Sequence, residues 1–116
     1  MGSIIGIGID VVSIERFQES LDRTPGLVKR VFTLNESKLK VSSLAARFAA
    51  KEALAKALNA KSVFHWQEAE VSNEVSGKPY FLFSGKMAVR LAGHKVHLTL
   101  SHDGGIASAM VIVEED

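Results

Sequence analysis

The sequence has no cysteine, which excludes disulfides, thiolate metal sites and a cysteine nucleophile, and suits a reducing compartment. Proline is scarce. Pro25 and Pro79 stand far apart, each close to a glycine in an evident turn, so no proline-rich linker divides the chain. Net charge is nearly absent as well: fourteen Lys and Arg against thirteen Asp and Glu leave +1, too weak a field to hold duplex nucleic acid. No apolar run reaches the roughly 18 residues that signal a membrane span. The N-terminus lacks the basic region and small-residue cleavage site of a secretory signal, so a cytoplasmic protein is expected. What the 116 residues do offer is a globular balance, 47% hydrophobic and 23% charged. Folding at this length buries somewhat over ~60% of the unfolded surface, enough for a core but little for a deep private cleft. One domain over residues 1–116 is expected.

Residues 3 to 12 alternate as a strand, with Ile5, Ile7, Ile9 and Val11 on one face and Ile4, Gly6, Gly8, Asp10 and Val12 on the other. Glycines inside a strand mark close backbone approach, and this strand is expected to be central. Ser13 can cap a following helix carrying Ile14, Phe17 and Leu21, which Thr24-Pro25-Gly26 stops. A short helical piece spans Leu27 to Phe32, and Thr33 or Asn35 can cap the next turn. Ser42 or Ser43 is expected to open the clearest helix, which runs to about Leu58 with eight alanines between Ala45 and Ala60, a composition that implies close packing. Alternation returns from Ala69 to Val75, and Ser76-Gly77-Lys78-Pro79 turns the chain into Tyr80-Phe81-Leu82-Phe83. Ser84 opens a helix ending at Gly93, and two further strands flank Asp103-Gly104-Gly105. Short connections and antiparallel pairs predict an α+β fold: an antiparallel-rich mixed sheet with the long Ala-rich helix packed on it.

Three segments carry the chemistry. In Gly6-Ile7-Gly8-Ile9-Asp10 a carboxylate stands beside open space on a strand, which suits a metal or phosphate neighbourhood; Asp10 equally suits a helix cap or a pair with Arg16. The segment lacks the full dinucleotide glycine pattern. From Arg47 to Ala57 the helix sets Arg47, Lys51, Glu52 and Lys56 among alanines. These are either a solvated salt-bridge face or a site in which Glu52 joins Asp10 as a Mg²⁺ ligand while the cations meet phosphate. Gly77-Lys78-Pro79 is first a turn, on which Lys78 can meet a phosphate or the edge of a base. Ser101-His102-Asp103 closes a strand whose neighbours alternate faces, so it is no catalytic triad. His65, His94 and His97 lack metal-ligand spacing, Trp66 reads as packing, and Glu114-Glu115-Asp116 as a solubilising tail.

Taken in order, these segments resemble the holo-[acyl-carrier-protein] synthase family, the short 4'-phosphopantetheinyl transferases. The resemblance rests on Gly6-Ile7-Gly8-Ile9-Asp10 with Arg16, on Arg47-Phe48-Ala49-Ala50-Lys51-Glu52-Ala53 with Lys56-Ala57, on Gly77-Lys78-Pro79, and on Ser101-His102, over residues 4 to 113. It implies transfer of the phosphopantetheine arm of coenzyme A to a serine of an apo acyl carrier protein, in fatty-acid or polyketide synthesis, with release of adenosine 3',5'-bisphosphate. It also implies Asp10 and Glu52 as ligands of Mg²⁺, Lys56 facing the diphosphate, and Arg47 and Lys51 as further phosphate partners. Gly77, Lys78, Pro79, Ser101 and His102 match positions around the nucleotide. Arg16 falls on the carrier-docking helix, with Arg23, Lys29 and Arg30 as helpers by charge. Homotrimers with sites between chains are implied too. Two departures stand out: the segment from Leu39 to Leu44 is shorter than usual for the family, and Asp10-Val11-Val12 lacks the second acid of the double-length transferases. A non-catalytic coenzyme A or nucleotide-binding module is the alternative, and a purely structural oligomer domain a third.

Overall fold

The computed structural model describes residues 2–60 and 64–116. Strand β1 (Ser3–Ser13) feeds helix α1 (Ile14–Arg23), whose N-cap Ser13 accepts the Arg16 N–H through Oγ at 3.2 Å. After the Thr24-Pro25-Gly26 break come α2 (Leu27–Val31) and α3 (Leu34–Ser37). Thr33 and Glu36 form a capping box at α3, each side chain accepting the other's backbone N–H. Helix α4 (Val41–Leu58) begins earlier than expected. Lys40 holds its N-cap position without a side-chain bond, so Ser42 and Ser43 lie inside the first turn instead of capping it. Asn59, in the left-handed region at φ 52°, ends the helix.

A 3-10 turn at Trp66–Glu68 leads into β2 (Ala69–Asn73) and β3 (Pro79–Phe83); then follow α5 (Gly85–Arg90), β4 (His94–Asp103) and β5 (Ile106–Glu115). The α+β class holds, but the strands form two sheets, β1-β5-β4 and β2-β3, and every pair among the described residues is antiparallel. β1 is an edge strand, not the central one expected; β5 is central. The misplacement has a physical source, because β1 is apolar on both faces yet only one face is covered within the chain.

Helix α4 supplies that cover. Its Ala49, Ala50, Ala53 and Ala57 pack with Ala109, Val111 and Val113 on the inner face of the larger sheet. The approach is closest at the two strand glycines: a Cβ on Gly6 would sit 2.0 Å from the Ala57 carbonyl oxygen, and one on Gly8 1.8 Å from that of Ala53. A second cluster joins Phe17, Phe32 and Leu44 to Ala107, and Phe48 bridges the two by lying against Phe17 and stacking on Trp66. Trp66 is thus packing, as expected. Cross-strand register orders the inner face in rows, Gly8-Val111-Leu98, Asp10-Ala109-Leu100 and Val12-Ala107-His102. The outer rows are Ile7-Ile112-His97, Ile9-Met110-Thr99 and Val11-Ser108-Ser101. On that outer face Ile7, Ile9 and Val11 are 58%, 59% and 61% exposed. The acidic end is no free tail: Glu114 and Glu115 belong to β5 and pair with His97 and His94.

Candidate active site

Helix α4 is the axis of the site. Each residue advances a helix by roughly 100°, so Arg47 and Lys56, nine apart, lie on opposite flanks, while Glu52 and Lys56, four apart, share one. The sheet reinforces this division, since β1 and β4 stand on either side of β5. Two clefts result, with no lining residue in common.

On the β1 flank a cleft of about 360 Å³ is lined by Asp10 and Ser13 from β1, Arg16, Phe17 and Ser20 from α1, and Phe48 and Glu52 from α4. Strand alternation sends Asp10 to the inner face, where its neighbour across the ladder is the small Ala109. Its carboxylate, 15% exposed, meets Lys56 rather than Arg16: Lys56 Nζ donates to Asp10 Oδ1 at 3.0 Å and to the Ile9 carbonyl at 2.9 Å. Glu52, half-buried, faces the same cleft. Two carboxylates and an ammonium on rigid elements can share a divalent cation and a diphosphate. No trio of His, Cys, Asp or Glu side chains gathers as a metal cage among the described residues, so substrate oxygens and water would have to complete such a shell.

On the β4 flank a cleft of about 370 Å³ gathers Lys40, Ser42, Ser43 and Arg47 from the start of α4, Asn73, Gly77 and Pro79 from the β2-β3 hairpin, and His102 from β4. Arg47 Nη2 donates to Asn73 Oδ1 at 2.7 Å, while its buried Nε has no hydrogen-bond partner among the described residues. An unmet buried donor costs about 1–3 kcal/mol, a penalty an anion in the cleft would relieve. Burial pulls the Arg47 guanidinium below its ordinary pKa, against the opposing pull of Glu36 and Glu70. The cleft therefore presents a partly desolvated cation beside a polar rim, suited to a phosphorylated group.

Several expected residues lie elsewhere. Lys51 is the clear correction: instead of meeting phosphate it is fully buried, with Nζ 2.9 Å from Glu36 and donating to the carbonyls of Trp66 at 2.8 Å and Ala69 at 3.0 Å. Burial lowers its pKa from the usual 10.5, opposed chiefly by Glu36. Glu36, its buried partner, carried no sequence signal beyond the capping pattern. Lys78 is exposed on the hairpin turn, outside the cleft lining. Ser101 lies on the outer sheet face opposite Ser108, away from its neighbour His102. Arg23, in the last turn of α1, is exposed and does not line the β1-side cleft. Conversely, Lys40, Ser42, Ser43 and Asn73 join the second cleft, though none was expected as a site residue and the two serines only as helix caps. Only the position of Asn73, at the strand end before a Gly-Lys-Pro turn, hinted at a role.

The family model described as the 4'-phosphopantetheinyl transferase superfamily matches residues 6–109. A curated holo-[acyl-carrier-protein] synthase of Streptomyces coelicolor is 52% identical over 121 aligned residues, covering 97% of this chain and 98% of that protein. Among solved structures, a holo-(acyl-carrier-protein) synthase from Bacillus anthracis in complex with CoA (3',5'-ADP) superimposes with a TM-score of 0.79 at 35% identity, over 97% of this chain and 98% of its own. The Helicobacter pylori holo-[acyl-carrier-protein] synthase in complex with coenzyme A gives 0.80 at 32% identity, over 92% of this chain and 98% of its own.

Proposed function

The chain belongs to the 4'-phosphopantetheinyl transferase superfamily, as an enzyme of the holo-[acyl-carrier-protein] synthase kind, and from that premise we propose its chemistry. It moves the phosphopantetheine arm of coenzyme A onto a serine hydroxyl of an apo acyl carrier protein and releases adenosine 3',5'-bisphosphate. The observation that carries this reading is the β1-side cleft, where Asp10, paired with Lys56, and Glu52 face one space beside Arg16.

Mg²⁺ fits that cleft, because hard carboxylate oxygens line it without any imidazole, and Mg²⁺ keeps several waters and substrate phosphate oxygens. Asp10 and Glu52 would hold it, and when bound it would neutralise the diphosphate and stabilise the leaving phosphate. Lys56 sets the orientation of Asp10 and adds positive charge where the leaving group's negative charge grows. The two carboxylates are also the cleft's acceptors for the serine proton. Arg16, exposed on α1 at the mouth of this cleft, is the docking cation for an acidic carrier, with Arg23 further along the same helix.

The nucleotide end of coenzyme A belongs to the β4-side cleft, with Arg47 for phosphate and Gly77, Pro79 and His102 as walls. Lys78 and Ser101 lie at its margins, on the turn and across the strand. The two clefts flank α4 on opposite sides, so a single coenzyme A is best served by the carboxylate cleft of one chain and the nucleotide cleft of another. The outer sheet face supports the same reading: Ile7, Ile9, Val11 and Met110 form an apolar surface of a kind monomers rarely leave open, suited to a homotrimer seam. The setting would be a one-domain cytoplasmic enzyme supplying carriers for fatty-acid or polyketide synthesis.

The test is incubation of the protein with coenzyme A, Mg²⁺ and a panel of apo carriers, followed by intact-mass analysis. The expected result is a gain of one phosphopantetheine group on at least one carrier. Saturable coenzyme A binding with no mass gain on any carrier would overturn the reading. The particle mass in solution checks the trimer.

A further inference from the structure

We propose that Asn73 is a positioning residue for the nucleotide end of coenzyme A, acting through Arg47 and the Gly77 turn; the role rests on the functional reading above. Its amide touches both. Oδ1 accepts from Arg47 Nη2 at 2.7 Å, and Nδ2 donates to the Gly77 carbonyl at 2.9 Å, so one side chain ties helix α4 to the hairpin across the β4-side cleft.

Folding does not require this link. The turn is already closed by backbone bonds from Glu74 N–H to the Lys78 carbonyl at 2.9 Å and from Gly77 N–H to the Glu74 carbonyl at 2.8 Å, and Asn73 is exposed at the strand end. Its distinct contribution is geometric. It fixes the plane of a long, rotamer-rich guanidinium whose Nε has no hydrogen-bond partner among the described residues. The chemistry of the amide matters too: a neutral oxygen orients the cation without cancelling its charge, whereas a carboxylate at this place would neutralise Arg47 and repel an incoming phosphate. At the other end the same group holds the Gly77 carbonyl, and with it the wall that carries Pro79.

The role predicts a separation between binding and turnover. Asn73→Ala should raise the KM for coenzyme A and the calorimetric Kd for adenosine 3',5'-bisphosphate about tenfold, the ordinary worth of one hydrogen bond to a charged group. The kcat at saturating coenzyme A and the Tm should stay near wild type. Asn73→Asp, which can still accept from Arg47, should bind the bisphosphate at least as poorly as the alanine variant, and a simple packing role would not produce that order. Asn73→Ala with wild-type KM and Kd, a fall in kcat at unchanged KM, or an Asn73→Asp protein that binds like wild type would each overturn the assignment. Wild-type protein that neither binds the bisphosphate nor transfers would instead overturn the functional reading itself, and this role with it.

Discussion

Lys51→Met tests whether a lysine set among phosphate-binding residues is instead part of the scaffold. The substitution keeps the aliphatic stem and removes only the ammonium. Glu36, 1% exposed, would keep the Thr33 N–H at 3.0 Å and the Val71 N–H at 2.8 Å but lose its cation at 2.9 Å, and the Trp66 and Ala69 carbonyls would lose the Lys51 ammonium, Trp66 keeping the Ala69 N–H. Removing one partner from a buried pair costs about 3–5 kcal/mol. A chain of this length loses about 4 °C of Tm per kcal/mol, so a fall of roughly 12–20 °C is expected by thermal melting. Glu36→Gln with Lys51→Met should recover much of that loss, since two neutral side chains leave no stranded charge. In the folded fraction, the KM for coenzyme A should be unchanged. A Lys51→Met protein with wild-type Tm but impaired coenzyme A binding would refute the reasoning and return Lys51 to the site. Solution pH gives a second reading of the same residue. Burial holds the folded Lys51 below 10.5, so between its lowered value and 10.5 the unfolded chain binds more protons and this residue's contribution to stability rises with pH. The stability gap between wild type and Lys51→Met should therefore widen across that window in urea titrations, and a gap that narrows contradicts the assignment.

Four other outcomes are expected. Gly8→Ala would place a Cβ 1.8 Å from the Ala53 carbonyl oxygen, so urea melts should show a loss of about 1–3 kcal/mol or more; an unchanged midpoint would mean that helix and strand do not meet there. Asp10→Ala or Glu52→Ala should abolish transfer with little change in Tm, and wild-type rates in both would refute the metal assignment. Ile9→Glu, on the exposed outer face, should shift the particle to lower mass in light scattering and reduce activity with it; a particle of unchanged mass would clear this face. Arg16→Glu should raise the KM for the carrier while leaving that for coenzyme A alone, and an equal effect on both would argue against docking.

Much of the site was legible because it depends on period. The alternation of residues 3 to 12 placed Gly6, Gly8 and Asp10 on one face, and the glycines then explained how a carboxylate two residues on comes to lie beside a helix. Helical spacing was equally available, yet Arg47, Lys51 and Lys56 read as one phosphate-binding set because their shared motif outweighed their angles. Their fates are set by what each flank of α4 meets: Arg47 the hairpin, Lys56 the strand, and Lys51 the buried Glu36. Glu36 lies 15 residues from Lys51 in a four-residue helix, and no local pattern announces such a partner. The edge position of β1 was hidden for a related reason, since isoleucines exposed on an outer sheet face look the same in sequence as isoleucines buried in a core.

The division of polar machinery between two flanks of one helix has a genetic consequence. If each working site takes its carboxylates from one chain and its nucleotide wall from the next, defects in the two halves are complementary. Asp10→Ala chains and Arg47→Ala chains, each inactive alone, would on mixing assemble some seams in which an intact carboxylate cleft faces an intact Arg47. Two broken copies would together make a working one, and the activity regained would count how often unlike chains sit side by side.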